Sequence, residues 1–167
     1  TRSTAQGTGF GLPYYWAISH DRDLTFTPKT YANENPLLLN EYRQAFKNGF
    51  LTLDTGFTEG YKNTNSTKTS GSRNHIFADL FLNLSKNSNL SIKTQRTNNS
   101  TYFKVHDINT ALVDSEKTDL ENKISYNFKN NDLFLNISGT VYEDLADTTN
   151  NRYEYVSPNI LFGKSFF

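Results

Sequence analysis

Apolar and polar residues alternate along most of this chain with a period of two. Between Leu120 and Lys129, Leu120, Ile124, Tyr126 and Phe128 fall on one side and Glu121, Lys123, Ser125, Asn127 and Lys129 on the other. That is the spacing of a strand with one apolar and one polar face. Only Asn122 interrupts the apolar side. The following run repeats the pattern, with Leu133, Leu135, Ile137, Gly139 and Val141 opposite Phe134, Asn136, Ser138 and Thr140. Asn130-Asn131 between the runs tolerates positive φ, so the two read as a hairpin. The same reading predicts strands from Gly9 to Ile18, Asp23 to Thr30, Leu37 to Lys47, Phe50 to Thr58, His75 to Ser85 and Leu90 to Arg96, and a last one over roughly Arg152 to Phe162. Phe77 and Phe81 sit on the otherwise polar side of their strand.

The lengths of the connections alternate too. Tight links at His20-Asp21-Arg22, Asn48-Gly49, Lys86-Asn87-Ser88-Asn89 and Asn130-Asn131 take turns with longer polar segments from Tyr31 to Pro36, Glu59 to Asn74, Thr97 to Asp119 and Glu143 to Asn151. A transmembrane barrel keeps such a parity, because every second connection is a short periplasmic turn and the others are longer outer loops. A soluble β-sandwich has no reason to keep it. The pattern predicts an all-β antiparallel meander of about nine strands forming part of a transmembrane β-barrel, with no helix longer than about two turns. Polar faces would then line a water-filled interior, where Thr25, Thr27, Glu41, Arg43, Asp54, Glu121 and Lys123 are candidate lumen residues, each keeping water or a partner. Ile124, Tyr126, Leu133, Leu135 and Ile137 should share the outward face. Aromatics recur near strand ends, at Tyr14, Tyr15, Trp16, Tyr42, Phe46, Phe57, Tyr126, Phe128, Tyr142, Tyr153, Tyr155 and Phe162. Rings at headgroup depth would explain them, although strand-rich proteins use many aromatics in any case.

Composition narrows the field. The chain has 167 residues, 35% of them hydrophobic and 14% aromatic, enough for an ordinary domain to bury apolar surface. Its 17 basic and 17 acidic residues cancel, and without a basic stripe there is no electrostatic footprint for nucleic acid. The absence of cysteine removes disulfides, thiolate nucleophiles and cysteine zinc sites. A mean hydropathy of −0.66 with no long apolar run argues against a transmembrane helix, but strands that alternate also average to a hydrophilic value. Thr1-Arg2-Ser3-Thr4 has no signal-like pattern and Gly163-Lys164-Ser165-Phe166-Phe167 stops inside an apolar stretch. The expectation is one partial barrel domain, residues 1–167, cut from a longer chain.

Catalytic constellations are hard to find. His20, His75 and His106 are too scattered for metal-ligand spacing, and each reads as a turn, lumen or loop residue. Gly7-Thr8-Gly9-Phe10-Gly11 is followed by no helix that could cradle a phosphate, so these glycines read as a strand entry. Asp21/Asp23 and Asp144/Asp147 fall in expected turns, where Asp caps the backbone anyway. The sequons Asn65-Ser66-Thr67 and Asn98-Asn99-Ser100 follow from an Asn/Ser/Thr-rich composition. Neither a catalytic residue, nor a metal site, nor a cofactor is expected.

Three blocks carry a family resemblance. Leu12-Pro13-Tyr14-Tyr15-Trp16-Ala17-Ile18, then Asp23-Leu24-Thr25-Phe26-Thr27-Pro28, then Asn40-Glu41-Tyr42-Arg43 resemble, in order and spacing, the start of the barrel in the lipopolysaccharide-assembly outer-membrane protein family (LptD, organic solvent tolerance protein). Asn99-Ser100-Thr101-Tyr102-Phe103 is similar to that family's Ser-Tyr-Phe element in a long outer loop, and Tyr153-Glu154-Tyr155-Val156-Ser157-Pro158 loosely to a Tyr-x-Arg-Leu-Pro strand whose Arg is replaced here. The resemblance implies a non-enzymatic conduit in the outer membrane of a Gram-negative cell. Its implied partners are lipopolysaccharide, outer-membrane lipid, a plug lipoprotein and the periplasmic transport bridge of the export machinery. It also singles out Pro13 and Pro28 as lateral-gate candidates, since each removes a ladder donor; without the resemblance they read as residues that bend or end their strands. A porin or uptake barrel would share the alternation and the connection parity but not the Pro-Tyr-Tyr-Trp block, and a carbohydrate-binding β-sandwich would bury the apolar faces between two sheets.

Overall fold

The computed structural model describes residues 7–65, 70–147 and 150–164. Thr1-Arg2-Ser3-Thr4, Ser66 and Thr67 of the first sequon, and Ser165-Phe166-Phe167 lie outside the described residues. Among the described residues ten strands follow one another: β1 (Gly9–Gly11), β2 (Tyr14–Ser19), β3 (Arg22–Tyr31), β4 (Leu37–Phe46), β5 (Gly49–Gly60), β6 (Ser70–Ser85), β7 (Ser88–Thr97), β8 (Asp119–Asn130), β9 (Leu133–Asp144) and β10 (Tyr153–Lys164). One short helix, α1 (Tyr102–Val105), lies between β7 and β8, and a 3-10 turn (Asn150–Arg152) leads into β10. All strands join a single antiparallel sheet in chain order, with β1 and β2 both on β3.

The expected strand from Gly9 to Ile18 is split in two. Gly11 pairs with Lys29 and Tyr14 with Phe26, so β1 and β2 keep one register against β3 on either side of Leu12-Pro13. Elsewhere strands outrun the expectation. β5 and β6 extend past Thr58 and His75 until Gly60 pairs with Ser70 across an irregularity. Gly60 has φ +93, and a Cβ there would stand 2.2 Å from the Gly71 carbonyl oxygen, so only glycine fits this crossing.

Connection parity holds throughout: 20–21, 47–48, 86–87 and 131–132 are tight, while 32–36, 61–69, 98–118 and 145–152 are longer. The tight turns are also stitched to the next hairpin. Asn83 N donates to the Asn48 carbonyl at 2.7 Å and Asn48 Nδ2 donates back to the Asn83 carbonyl at 2.9 Å. Asn87 and Lys129 repeat the exchange, each bond at 2.7 Å.

Register assigns the faces. Tyr126 pairs with Ile137, Phe128 with Leu135 and Asn130 with Leu133, so Ile124, Tyr126, Leu133, Leu135 and Ile137 share one side as the alternation requires. Nothing packs on it: Ile124 and Ile160 are 53% and 63% exposed. The described residues therefore form no second layer, which removes the β-sandwich. The buried residues lie mostly under the other face, where segment 98–118, expected only as a polar outer loop, folds back. Tyr102, Phe103, Ile108 and Val113 from the segment join Leu37, Leu39 and Phe77 of the sheet in one cluster with Leu120 and Leu145. Phe77, out of place in the strand pattern, is the floor of this small core.

Candidate functional site

The polar face is laid out in cross-strand rows. One row runs Ala17, Asp23, Arg43, Thr52, Asp79, Lys93, Lys123, Thr140, each paired with the next. The adjacent row runs Thr25, Glu41, Asp54, Phe77, Gln95, and the row beyond it Thr27, Leu39, Gly56, His75, Thr97. Glu121 stands two residues from Lys123 on the same face. The register thus brings Thr25, Thr27, Glu41, Arg43, Asp54, Glu121 and Lys123 to one side of the sheet. Arg43 Nε donates to Asp23 Oδ1 at 2.9 Å and lies 3.7 Å from Glu41; Lys93 Nζ donates to Glu121 Oε2 at 2.8 Å. These partly exposed pairs give the open part of the face mixed charge at low desolvation cost.

Asp54 differs from the other six. It is fully buried, and its Oδ1 accepts from His75 Nε2 at 2.8 Å, with 1% and 0% of the two side chains exposed. The geometry depends on Gly56, which sits directly opposite His75. A Cβ at Gly56 would lie 2.4 Å from His75 Cε1 and 2.7 Å from the Tyr102 hydroxyl; the missing side chain lets the imidazole lean diagonally to Asp54. The ring is then closed in by Phe77, Tyr102 and Phe103, with centroids 5.6, 5.5 and 5.3 Å away. His75 and His106 were expected as scattered lumen or loop residues; both are buried in this cluster. Parity on β5 and β6 would have put Asp54 and His75 on one face, but only the fold of 98–118 covers them. His20 remains in the first tight turn.

The edge carries the prolines. Leu12 N donates to the Pro28 carbonyl at 3.3 Å, which makes Leu12 and Pro28 a hydrogen-bonded pair of the antiparallel ladder. The return bond is missing, because Pro28 has no N–H. By the alternation of such pairs, the position of Pro13's absent donor turns away from β3, toward the unpaired edge of the sheet. The two prolines thus remove donors on successive sides of the same strand, one from the β1/β2–β3 ladder and one from the edge beyond it.

Asp21 lies in a turn and Asp23 in β3; Asp144 ends β9, and Asp147 follows it. No group of three or more potential metal ligands forms among the described residues.

LPS-assembly protein LptD of Nitrosococcus oceani is 32% identical over 89 residues, 49% of this chain and 12% of its own length. LPS-assembly protein LptD of Shewanella frigidimarina is 25% identical over 185 residues, 92% of this chain and 24% of its own length. Over these stretches the chain is similar to LptD. It spans at most about a quarter of the length of these curated LptD relatives, and no family model matches it. The all-β meander with the Pro-Tyr-Tyr-Trp block at its first edge agrees with the LptD likeness.

Proposed function

We propose that this chain is the early part of an outer-membrane β-barrel that conducts lipopolysaccharide to the outer leaflet of a Gram-negative cell, without catalysis. The apolar face meets lipid, the mixed-charge rows line the lumen for a charged sugar head, and the first edge parts to let the acyl tails out. The observation that carries the reading is the edge itself, where a donor-poor ladder at Pro28 adjoins a donor-poor free edge at Pro13. LptD likeness supports it over a porin or uptake barrel. The partners that belong with it are the plug lipoprotein, the periplasmic transport bridge and outer-membrane lipid, with further strands of the same barrel closing against β1/β2.

The test is Pro13→Ala together with Pro28→Ala in the full-length protein. Alanine at 28 offers a donor to Leu12, and alanine at 13 offers one to the closing strand. Each bond contributes about 0.5–1.5 kcal/mol net, so opening should fall by about an order of magnitude. Surface-exposed lipopolysaccharide per assembled barrel, measured in cells, is expected to drop while barrel levels hold. Normal delivery at normal barrel levels would leave the prolines as strand punctuation and remove the gate.

A further inference from the structure

We propose that a groove on the polar face, running from β5 to the first edge toward the tight-turn end of the sheet, is a saccharide subsite in which Phe50 and Tyr15 flank a sugar ring and the Arg43–Asp23 pair takes its hydroxyls. The proposal deepens the conduit reading and rests on it for the source of the sugar, the head of the conducted glycolipid.

Aromatic rings stand on this face outside the covered cluster. Phe50 is two residues from Thr52, and Phe81 two from Asp79, so alternation puts both on the side of the charged row. Their rings stack, with centroids 5.6 Å apart and planes at 24°. The row they occupy runs Ala45, Phe50, Phe81, Ser91, Ser125, Ser138, so the pair has small side chains on either side of it. Phe77, on the same side of β6, is buried under α1, whereas Phe50 is 51% exposed. Tyr15 pairs with Thr25, shares the face and is 57% exposed. Lipid contact, which accounts for exposed rings on the opposite face, does not account for these.

Phe50 and Tyr15 both line a groove of about 350 Å3 that also takes in Asp21, Arg22, Asp23 and Arg43, a volume in the range of small-molecule sites. Arg43 Nε donates to Asp23 Oδ1 at 2.9 Å, while 49% of the Arg43 side chain stays exposed. The other N–H groups of that guanidinium are donors for a ligand. Asp21 accepts from Ser19 Oγ and lies 3.6 Å from Arg22 Nε. An inorganic anion therefore meets as many carboxylates as guanidiniums in this groove. An acyl chain would strip water from the Arg43–Asp23 pair and return no hydrogen bond. A sugar ring suits both halves: its C–H face packs on an aromatic ring, and its hydroxyls donate to a carboxylate and accept from a guanidinium. Through Tyr15 the groove reaches β2, the strand that follows Pro13 at the first edge. A sugar held there stays on the water side while acyl tails pass that edge.

The experiment is titration calorimetry of the full-length protein in lipid nanodiscs with the core oligosaccharide released from purified lipopolysaccharide, a probe without acyl chains. Saturation transfer from aromatic protons of the protein to C–H protons of the bound sugar is expected alongside. Phe50→Leu keeps an apolar side chain but loses the ring, and should weaken Kd about 3- to 10-fold; Phe50→Trp should retain it. Arg43→Gln should weaken Kd by about 10-fold or more. Amide protection at Leu53 and Ala78 in the β5–β6 ladder reports that each variant keeps its sheet. An unchanged Kd in Phe50→Leu with an intact sheet would overturn the proposal. Tighter binding of inorganic phosphate or octanoate than of the oligosaccharide would do the same, as would no oligosaccharide binding to the unmodified protein. Delivery of lipopolysaccharide to the cell surface is scored separately. Normal delivery without oligosaccharide binding removes the subsite and leaves the conduit, whereas binding without delivery removes the conduit and leaves the subsite.

Discussion

At the first edge of the sheet, Pro28 leaves the Leu12 carbonyl without its ladder bond, and Phe10, Tyr14 and Trp16 stand more than half exposed on the outward side. On β5 and β6 the backbone ladder is complete from Gly49 to Thr58, and Asp54, His75 and Phe77 are shut away from solvent by α1. One topology thus contains a region whose ladder lacks a bond at Pro28 and which has no side-chain core, and another in which side chains of sheet and loop jam together. A meander fixes which strands are neighbours, but cohesion is decided locally, by donors removed at one place and rings inserted at another.

The strongest way to break that contrast is to empty the covered region. Phe103 is 2% exposed and meets Phe77 and His75 edge-on, with centroids 5.4 and 5.3 Å away. Phe103→Ala should cost docking of 98–118 about 3–5 kcal/mol. Limited proteolysis is expected to cut the variant within 98–118 and to spare β5 and β6, whose mutual ladder runs unbroken from Gly49 to Thr58 without the loop. Loss of the whole sheet would show instead that α1 and the strands fold as one unit.

A smaller effect is expected from the buried pair, and it sharpens the contrast by separating polar from apolar cohesion. Asp54→Ala leaves the His75 Nε2–H buried without its acceptor, and His75→Ala leaves the carboxylate in the same position. Each single change should destabilise docking by about 1–3 kcal/mol, and the double change by less than their sum. A coupling of about 0.5–3 kcal/mol in a double-mutant cycle, read from exchange at Ile108, is the expected outcome. Additive effects would mean that the pair only fills space.

What could be read beforehand divides along the same line. Alternation in Leu120–Lys129 and the parity of the connections depend on neighbours in sequence, and both survive in the structure. The break at Leu12-Pro13 was signalled by the proline but hidden by the unbroken apolar pattern around it. Phe77 stood on a polar face with no local reason, because its partner Phe103 lies in a loop whose approach no periodicity encodes. A usable sign was present: Tyr102, Phe103, Val105, Ile108, Leu112 and Val113 are large apolar residues gathered within one connection between strands, and apolar residues on a loop need something to cover. The Asp54–His75 contact required one more step, the absence of a side chain at Gly56.

The smallest effect belongs to the open part of the polar face and sets its limit. Lys93 and Glu121 meet at 2.8 Å with 35% and 23% of their side chains exposed, in a row where Lys93 also stands opposite Lys123. Water reaches both groups, so the Coulomb gain is screened and the ordering of two long side chains offsets part of it. The like charge across the strand pair offsets more. Lys93→Gln should therefore change the stability of the β7–β8 pairing by less than about 1 kcal/mol, and the difference should shrink further in high salt. Urea titration of the full-length protein at two salt concentrations measures both. A loss above about 2 kcal/mol, insensitive to salt, would require Lys93 and Glu121 to be as dry as Asp54 and His75. The rows beyond the reach of 98–118 would then be closed rather than water-lined, and the mixed-charge face could not serve as a lumen.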